Sequence, residues 1–198
     1  AVLTAWYGGQ EFGGALADVI TGLVDPSGRL PVTFPRQLAD APTALDVPGD
    51  GAKLHYREGV FVGHRWYDAR GIEPLAEFGH GLSYTTFDYG SPAIVASGDA
   101  AGAIVSLEIT NSGARAGTAV PQLYIEPPVG SATRPIRSLC GFASVEVPAG
   151  GTVSVTIPIA ERAFETWTHE TGWHTPAGRY RVHVGSSSRR FTGSVDVQ

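Results

Sequence analysis

The spacing of apolar residues changes once along this chain, and that change limits the folds it can adopt. Between residues 11 and 20 the apolar positions lie three and four apart, the stripe of an amphipathic helix. From about residue 84 onward short segments alternate apolar and polar residues, as strands with one buried face do. The two periods predict a mixed chain, with a helix-containing part followed by an all-β part.

Residues 1–35 predict a strand, a helix and a second strand. Ala1–Ala5 is continuously apolar, the helical stripe begins at Glu11, and Leu30–Phe34 is a short strand-like segment stopped by Pro35. Strands of open α/β sheets are covered on both faces, and a lone strand–helix–strand unit cannot supply that cover. We therefore expect this segment to be the last unit of a larger α/β domain whose earlier strands are missing from the sequence.

Residues 36–83 show little regular periodicity and predict an interdomain linker. Residues 37–53 are rich in Ala, Pro, Asp and Gly, which favours an exposed loop. Residues 56–68 are dense in aromatic and charged side chains, which could line a sugar site. A packed seam between domains, in which aromatics bury area and Arg pairs with acids, is the preferred interpretation of that stretch.

The remainder, residues 84–198, predicts a β-sandwich. About seven short strands with turn signals between them and no helical stripe are typical of that architecture. The lone Cys140 excludes the disulfide-bonded antibody type, so we expect a fibronectin type III-like sandwich. The clearest predicted strands lie at 103–109, 119–125, 137–147, 152–157, 179–184 and 190–197.

Composition argues against several classes of partner. The chain has 14 Lys+Arg against 19 Asp+Glu, a net charge of −5 with no basic run, so we expect no nucleic-acid partner. No apolar run approaches the roughly 18 residues of a membrane span, so we expect no membrane partner. A single Cys140 allows neither an internal disulfide nor a Cys-based zinc site, and it is compatible with a cytoplasmic location, which we prefer over secretion.

Three further groups of residues are candidates for a site. His169 and His174 are five apart, and an intervening Thr-Gly pair breaks the helix that a metalloprotease motif needs, so we predict no metal site. Trp167 and Trp173 bracket a predicted hairpin and are candidates for a sugar platform, although the default is that one of them lies in the sandwich core. His80, between two glycines, is interpreted as a structural histidine in a tight turn.

Several longer motifs, in order along the chain, resemble glycoside hydrolase family 3, the β-glucosidase family. Trp6–Glu11, Asp25–Pro35 and Phe78–Phe87 are similar to the C-terminal half of that family, while Gly117–Tyr124 and Pro176–Tyr180 resemble its fibronectin type III-like domain. The resemblance runs in register over nearly the whole chain. It implies three domains: a TIM-like barrel, an α/β sandwich domain and the fibronectin-like domain, with 1–35, 36–83 and 84–198 as the last α/β unit, the linker and the third domain.

The resemblance also implies chemistry. Members of this family are retaining exo-glycosidases that remove a β-linked sugar, usually glucose, without a metal or organic cofactor. Two carboxyl groups are needed, and in the family both the nucleophile Asp and the acid/base Glu lie upstream of the position of Trp6. No catalytic residue is therefore predicted here. The implied partners are the missing barrel and α/β portion of the same enzyme and a β-glucoside or oligosaccharide substrate.

Candidate substrate-binding residues are Trp6, Tyr7, Gln10 and Glu11. They follow a predicted strand of an open α/β sheet, and ligands bind at the carboxyl ends of such strands. For Glu11 a role at the helix N-terminus is the preferred alternative. For Trp6 and Tyr7, packing between domains is at least as well supported as contact with the sugar. The segment departs from the family pattern at Gly8, commonly Pro, and by the additional Phe12.

Two functions of different classes follow. The first is the C-terminal part of a retaining exo-β-glucosidase, inactive as an isolated chain. The second is a stand-alone carbohydrate- or protein-binding fibronectin type III-like module. The strand–helix–strand of residues 1–35 favours the first, because a dedicated module has no use for it.

Overall fold

The computed structural model describes residues 2–49, 51–95, 102–130 and 134–197. Their elements comprise two α-helices, three short 3₁₀ helices and twelve strands. The helices are α1 (Phe12–Ile20) and α2 (His64–Arg70), and the 3₁₀ helices span Leu38–Asp40, Pro42–Leu45 and Glu161–Ala163. The strands are β1 (Phe87–Tyr89), β2 (Ala93–Val95), β3 (Ala103–Asn111), β4 (Gly117–Ala119), β5 (Gln122–Glu126), β6 (Ser138–Phe142), β7 (Val145–Val147), β8 (Thr152–Ile159), β9 (Thr166–Thr168), β10 (Gly172–His174), β11 (Tyr180–Gly185) and β12 (Phe191–Val197).

Two antiparallel sheets form the β-sandwich. In one sheet β3 pairs with β8 along one edge and with β1 and β2 along the other. The other sheet has the order β12-β11-β5-β6. Two further pairs, β4 with β7 and β9 with β10, lie outside these sheets. The predicted mixed fold class, a short helical segment followed by a fibronectin-like sandwich, is confirmed.

The core lies between the two sheets and is built by alternation. Along β3 the side chains of Ala103, Val105, Leu107 and Ile109 are buried while Ile104 is only half-buried, as the period of two predicts. Fully burying a Val, Leu or Ile side chain is worth about 1.5–3 kcal/mol. The other buried members of this cluster are Ala119, Leu123, Ile125, Val147, Val155, Ile157, Ile159, Phe164, Tyr180, Val182 and Val184.

The first part of the chain differs from its prediction in one respect. Helix α1 forms where the apolar stripe indicates it, but residues 2–5 and 30–33 belong to no strand. Phe34 makes only an isolated antiparallel bridge, to Ala76. Leu30 donates its backbone N–H to the carbonyl of His80 and accepts from the N–H of Gly79, both at 2.8 Å, but this contact does not extend into a paired strand. Residue 1 of the predicted first strand lies outside the described residues.

The linker contains more regular structure than the sequence suggested. Residues 64–70, predicted to be irregular, form α2, which Gly71 ends in the left-handed conformation at φ 62°. Trp66 and Tyr67 of this helix are buried, and the indole N–H of Trp66 donates to the carbonyl of Asp40 at 3.0 Å. Tertiary contacts therefore stabilise a seven-residue helix that its own sequence hardly favours.

Contacts between the linker and the sandwich are polar as well as apolar. The Asp68 side chain is almost fully buried, with Arg189 Nε 2.9 Å from its Oδ1 and Arg137 Nη2 3.5 Å from its Oδ2. Burial raises the pKa of Asp68, and the two guanidinium groups act against that rise. Glu77 Oε1 accepts from Ser187 Oγ at 2.9 Å and from Arg190 Nε at 3.0 Å. Aromatic and charged residues of segment 36–83 thus pack against the β-sandwich, while its role as a seam between domains stays a prediction.

Candidate rim segment ahead of helix α1

The four predicted site residues lie together in one exposed segment, residues 6–11, immediately before α1. Trp6 is 57% exposed, and its ring meets that of Phe34 edge-on, with centroids 6.4 Å apart. Tyr7 is fully exposed. The backbone of Trp6 has φ 52°, a left-handed conformation that costs a non-glycine residue roughly 1–3 kcal/mol. Such strain is common at functional sites, so the segment keeps its status as a candidate.

Gln10 and Glu11 are the last two candidate residues of this exposed segment, residues 6–11, which is called the rim segment below. The amide Nε2 of Gln10 donates to Glu11 Oε1 over a long 3.4 Å, and both side chains are exposed. Glu11 occupies the N-cap of α1, yet its side chain makes no capping hydrogen bond. A carboxylate here still interacts favourably with the helix dipole, by about 0.3–1 kcal/mol when exposed. The carboxylate of Glu11 therefore remains available to a ligand.

The two departures from the family pattern are coupled in space. A Cβ added at Gly8 would overlap the ring and Cβ of Phe12. The additional Phe12 therefore occupies the space that a side chain at position 8 would need. Sequence reasoning could not find this pairing, because nothing in the spacing of Gly8 and Phe12 shows which way the ring turns.

A second polar cluster lies at the junction of linker and sandwich. The buried Gln122 donates through Nε2 to the carbonyls of Gly79 and Ser186, at 3.1 and 2.9 Å. Its Oε1 accepts from the hydroxyl of Tyr124 at 2.6 Å. His80, next to Gly79, has its Nδ1 3.4 Å from Glu77 Oε1. These side chains satisfy one another, so the cluster holds the junction together and offers no free group for chemistry.

His64, on α2, is a histidine whose pKa the fold lowers. Its ring stacks on Phe78 with centroids 5.1 Å apart and meets the ring of Tyr124 edge-on. Burial, helped by the nearby charge of Arg65, lowers its pKa from 6.5 to about 4. The imidazole is neutral at pH 7 and packed between aromatic rings, which is a structural role.

The remaining candidates do not form a site for a metal. Within the described ranges, no three His, Cys, Asp or Glu side chains are grouped so that they could hold an ion. His174 lies on β10 and His169 in the turn before it, so neither lies on a helix. Likewise, no helix in the described part of the chain is long and apolar enough to cross a membrane.

Comparison with known proteins places this geometry in a family. The profile of the glycosyl hydrolase family 3 C-terminal domain matches residues 1–64, and that of the fibronectin type III-like domain matches residues 119–188. The chain belongs to the C-terminal region of glycoside hydrolase family 3. This confirms the resemblance drawn from the motifs.

Named relatives of this family 3 region agree over nearly its full length. Thermostable beta-glucosidase B of Acetivibrio thermocellus is 43% identical over 96% of this chain, which covers 25% of that relative. An exo-alpha-(1->6)-L-arabinopyranosidase of Bifidobacterium breve is 39% identical over 99% of this chain and 26% of its own length. The crystal structure of a Bifidobacterium adolescentis GH3 beta-glucosidase superposes with a TM-score of 0.91 at 38% identity, covering 98% of this chain and 29% of that one.

The chain spans about a quarter of the length of the curated relatives that it matches. DesR, a beta-glucosidase from Streptomyces venezuelae solved in complex with D-glucose, is similar in the same way, with a TM-score of 0.89 at 37% identity over 97% of this chain and 25% of that one. These relatives are glycoside hydrolases in which the region is one part of a longer protein.

Proposed function

We propose that this chain is the C-terminal quarter of a retaining, exo-acting β-glucosidase of family 3, which removes terminal non-reducing β-D-glucosyl residues. The observation that carries the proposal is that no residue of α1 is buried. An amphipathic helix gains its stability by burying its apolar face, and among the described residues this one finds only enough cover to leave Leu16 and Val19 half-buried. Large apolar side chains around it are exposed as well: Val2, Leu3, Trp6, Tyr7, Phe12, Ile20, Leu23 and Val24.

The exposed apolar surface of residues 2–24 fits the missing barrel and α/β portion of the same enzyme. Contiguous apolar patches of this kind are rare on monomeric proteins and mark surfaces that another body covers. In this arrangement residues 1–35 complete the α/β domain, 36–83 form the linker and 84–198 brace both. A stand-alone binding module is not favoured, because the relatives carry this region inside chains about four times as long.

Both catalytic carboxyl groups are placed outside this chain in the proposal, so the 198-residue chain alone is expected to be inactive. The test starts from the intact protein isolated from its natural source, with its mass measured under denaturing conditions. A chain several times heavier than 20.8 kDa, or a second chain that co-purifies, together with hydrolysis of an aryl β-glucoside, supports the proposal. Hydrolysis by the rigorously purified 198-residue chain would refute it.

Substrate specificity is tested in the same experiment. Aryl β-glucoside and aryl α-L-arabinopyranoside are offered side by side, because relatives bearing each activity in their names match this chain at 43% and 39% identity. A preference for the glucoside is the expected result. A clear preference for the arabinopyranoside would overturn the β-glucosidase assignment while leaving the family unchanged.

The proposal includes Trp6, Tyr7, Gln10 and Glu11 at the rim of the substrate pocket. Their exposed side chains and the strained backbone of Trp6 support this role. In the intact enzyme, Tyr7→Ala is expected to raise KM several-fold with a smaller change in kcat. The matched control is Tyr56→Ala, since Tyr56 is also exposed but lies in the linker. Equal effects of the two substitutions on KM would argue against the rim assignment.

A further inference from the structure

The hairpin of β9 and β10 borders a cavity that lies apart from the rim segment. The cavity has a volume of about 520 Å³ and opens between this hairpin, the sheet edge at β6 and the linker. Its wall includes Trp167, Trp173, Arg65, Arg134 and Arg162, and none of the four rim residues lines it. Its volume lies within the range of small-molecule sites, which is about 300–1,000 Å³.

One tryptophan of the pair Trp167 and Trp173 was expected in the sandwich core, and that expectation is wrong. Trp167 and Trp173 stand opposite each other in the β9–β10 register and are 48% and 53% exposed. A pair of half-exposed indoles at a cavity mouth offers flat apolar faces, on which a pyranose ring can stack.

Arginine side chains give this cavity a positive wall. Three arginines line it against a single acid, Glu165, although the whole chain has a net charge of −5. The Arg162 guanidinium lies 3.1 Å from the centre of the Trp173 ring, and its Nη1 is 2.8 Å from Glu165 Oε2. Arg162 is thus stacked and partly neutralised, which leaves Arg65 and Arg134 to interact with an anion.

Arg134 has one paired and one unpaired guanidinium nitrogen. Its Nη2 donates to the carbonyl of Glu165 at 3.1 Å, but its Nη1 is buried and finds no hydrogen-bond partner among the described residues. A buried guanidinium N–H without an acceptor is costly and calls for one. Guanidinium groups match carboxylates in geometry and charge, and such hydrogen bonds are about twice as strong as neutral ones.

We propose that this cavity is a saccharide site for a pyranose that carries a carboxylate. The indoles stack on the ring and the arginines bind the acid group. The ligand class is therefore an acidic saccharide with a hexuronic acid residue. The proposal does not rest on the β-glucosidase assignment, because every residue that it invokes lines this cavity.

The test is calorimetric titration of the intact protein that carries this chain, with methyl β-D-glucuronide as the probe. D-glucose is present at saturating concentration, so that the proposed catalytic site is occupied. Methyl β-D-glucoside and acetate are titrated under the same conditions. We expect the glucuronide to bind at least ten-fold more tightly than either, because only it offers both a ring and a carboxylate.

Variants assign the binding to the cavity. Arg134→Gln and, separately, Trp167→Ala are expected to weaken glucuronide binding about ten-fold, while Arg179→Gln, at an exposed arginine outside the cavity, leaves it unchanged. Trp167 is half-exposed, so its replacement tests the site even where Arg134→Gln disturbs folding. Absence of glucuronide binding, equal binding of glucoside or acetate, or equal affinity in the Trp167 and Arg179 variants would each overturn the proposal. Absence of aryl β-glucoside hydrolysis would count against the proposed β-glucosidase function and would leave the proposed glucuronide site untouched.

Discussion

Acidification from pH 7 to pH 5 is expected to cost this chain about 2 kcal/mol of folding stability through His64 alone. Burial lowers the pKa of His64 from 6.5 to about 4 in the folded state. Below pH 6.5 the unfolded chain therefore takes up a proton that the native state refuses until about pH 4. Stability is lost as the pH falls through this window and levels off below it, with a total loss of roughly 3 kcal/mol at 1.36 kcal/mol per pKa unit.

The assay is urea unfolding at pH 7 and pH 5, comparing the wild type with His64→Phe. Phenylalanine keeps a ring to stack on Phe78 but cannot titrate. The wild type should lose about 2 kcal/mol more than this variant between the two pH values, because other titrating groups contribute equally to both. His169→Gln, at an exposed histidine in the β9–β10 turn, should behave as the wild type does. An NMR titration of the His64 imidazole gives its pKa directly.

Two results would refute this reasoning. The first is an imidazole signal of His64 that titrates near pH 6.5 in the folded protein. The second is a loss of stability on acidification that is as large in His64→Phe as in the wild type. Either would mean that the ring is solvated and that its stacking does not exclude the charged form.

Three further predictions concern particular positions. Gly79→Ala should lower the free energy of unfolding by about 3 kcal/mol or more, because φ is +81° and the new Cβ would displace the side-chain amide of Gln122. In the same unfolding assay Gly150→Ala, at φ +64° in open space, should show only the smaller backbone cost of about 1 kcal/mol. Gly8→Ala should reduce the hydrogen-exchange protection of the α1 amides in the intact protein, and adding Phe12→Ala should restore that protection. Additive effects of the two substitutions would instead show that the two positions are independent. Burial raises the pKa of Cys140 to about 12, so a thiol reagent at pH 8 should label the unfolded chain and leave the native one unmodified.

The sandwich could be predicted from the sequence because its strands carry their own periodicity. The alternation from Ala103 to Ile109 assigned each residue to its face, since side chains of successive strand residues point to opposite sides. The hairpin at residues 166–174 shows where such a pattern stops being informative. Three-residue strands alternate on either face equally well, so Trp167 and Trp173 could be placed in the core or outside it, and only the tertiary structure decides.

The linker was harder to predict because tertiary contacts determine its structure. Helix α2 contains two adjacent aromatic residues and several charges, without the apolar stripe that marks a helix, and Gly71 was its one local signal. Its stability comes from partners far along the chain, such as the pairing of Asp68 with Arg189. Likewise, the grouping of the four candidate rim residues followed from the motif, but the positive φ of Trp6 and its contact with Phe34 did not.

Long-range hydrogen bonds join the end of helix α1 to the β-sandwich. Asp25 Oδ1 accepts from the backbone N–H of Tyr84 at 2.6 Å, and the hydroxyl of that tyrosine donates to the carbonyl of Val19 at 2.7 Å. Arg115 adds a 2.7 Å bond to the carbonyl of Gly22. These contacts bind the carboxyl-terminal end of α1 to the β-domain and leave most of its apolar side chains exposed, with Leu16 and Val19 half-buried. The β-domain therefore fixes the direction of α1, and with it the placement of the rim segment at the other end of that helix.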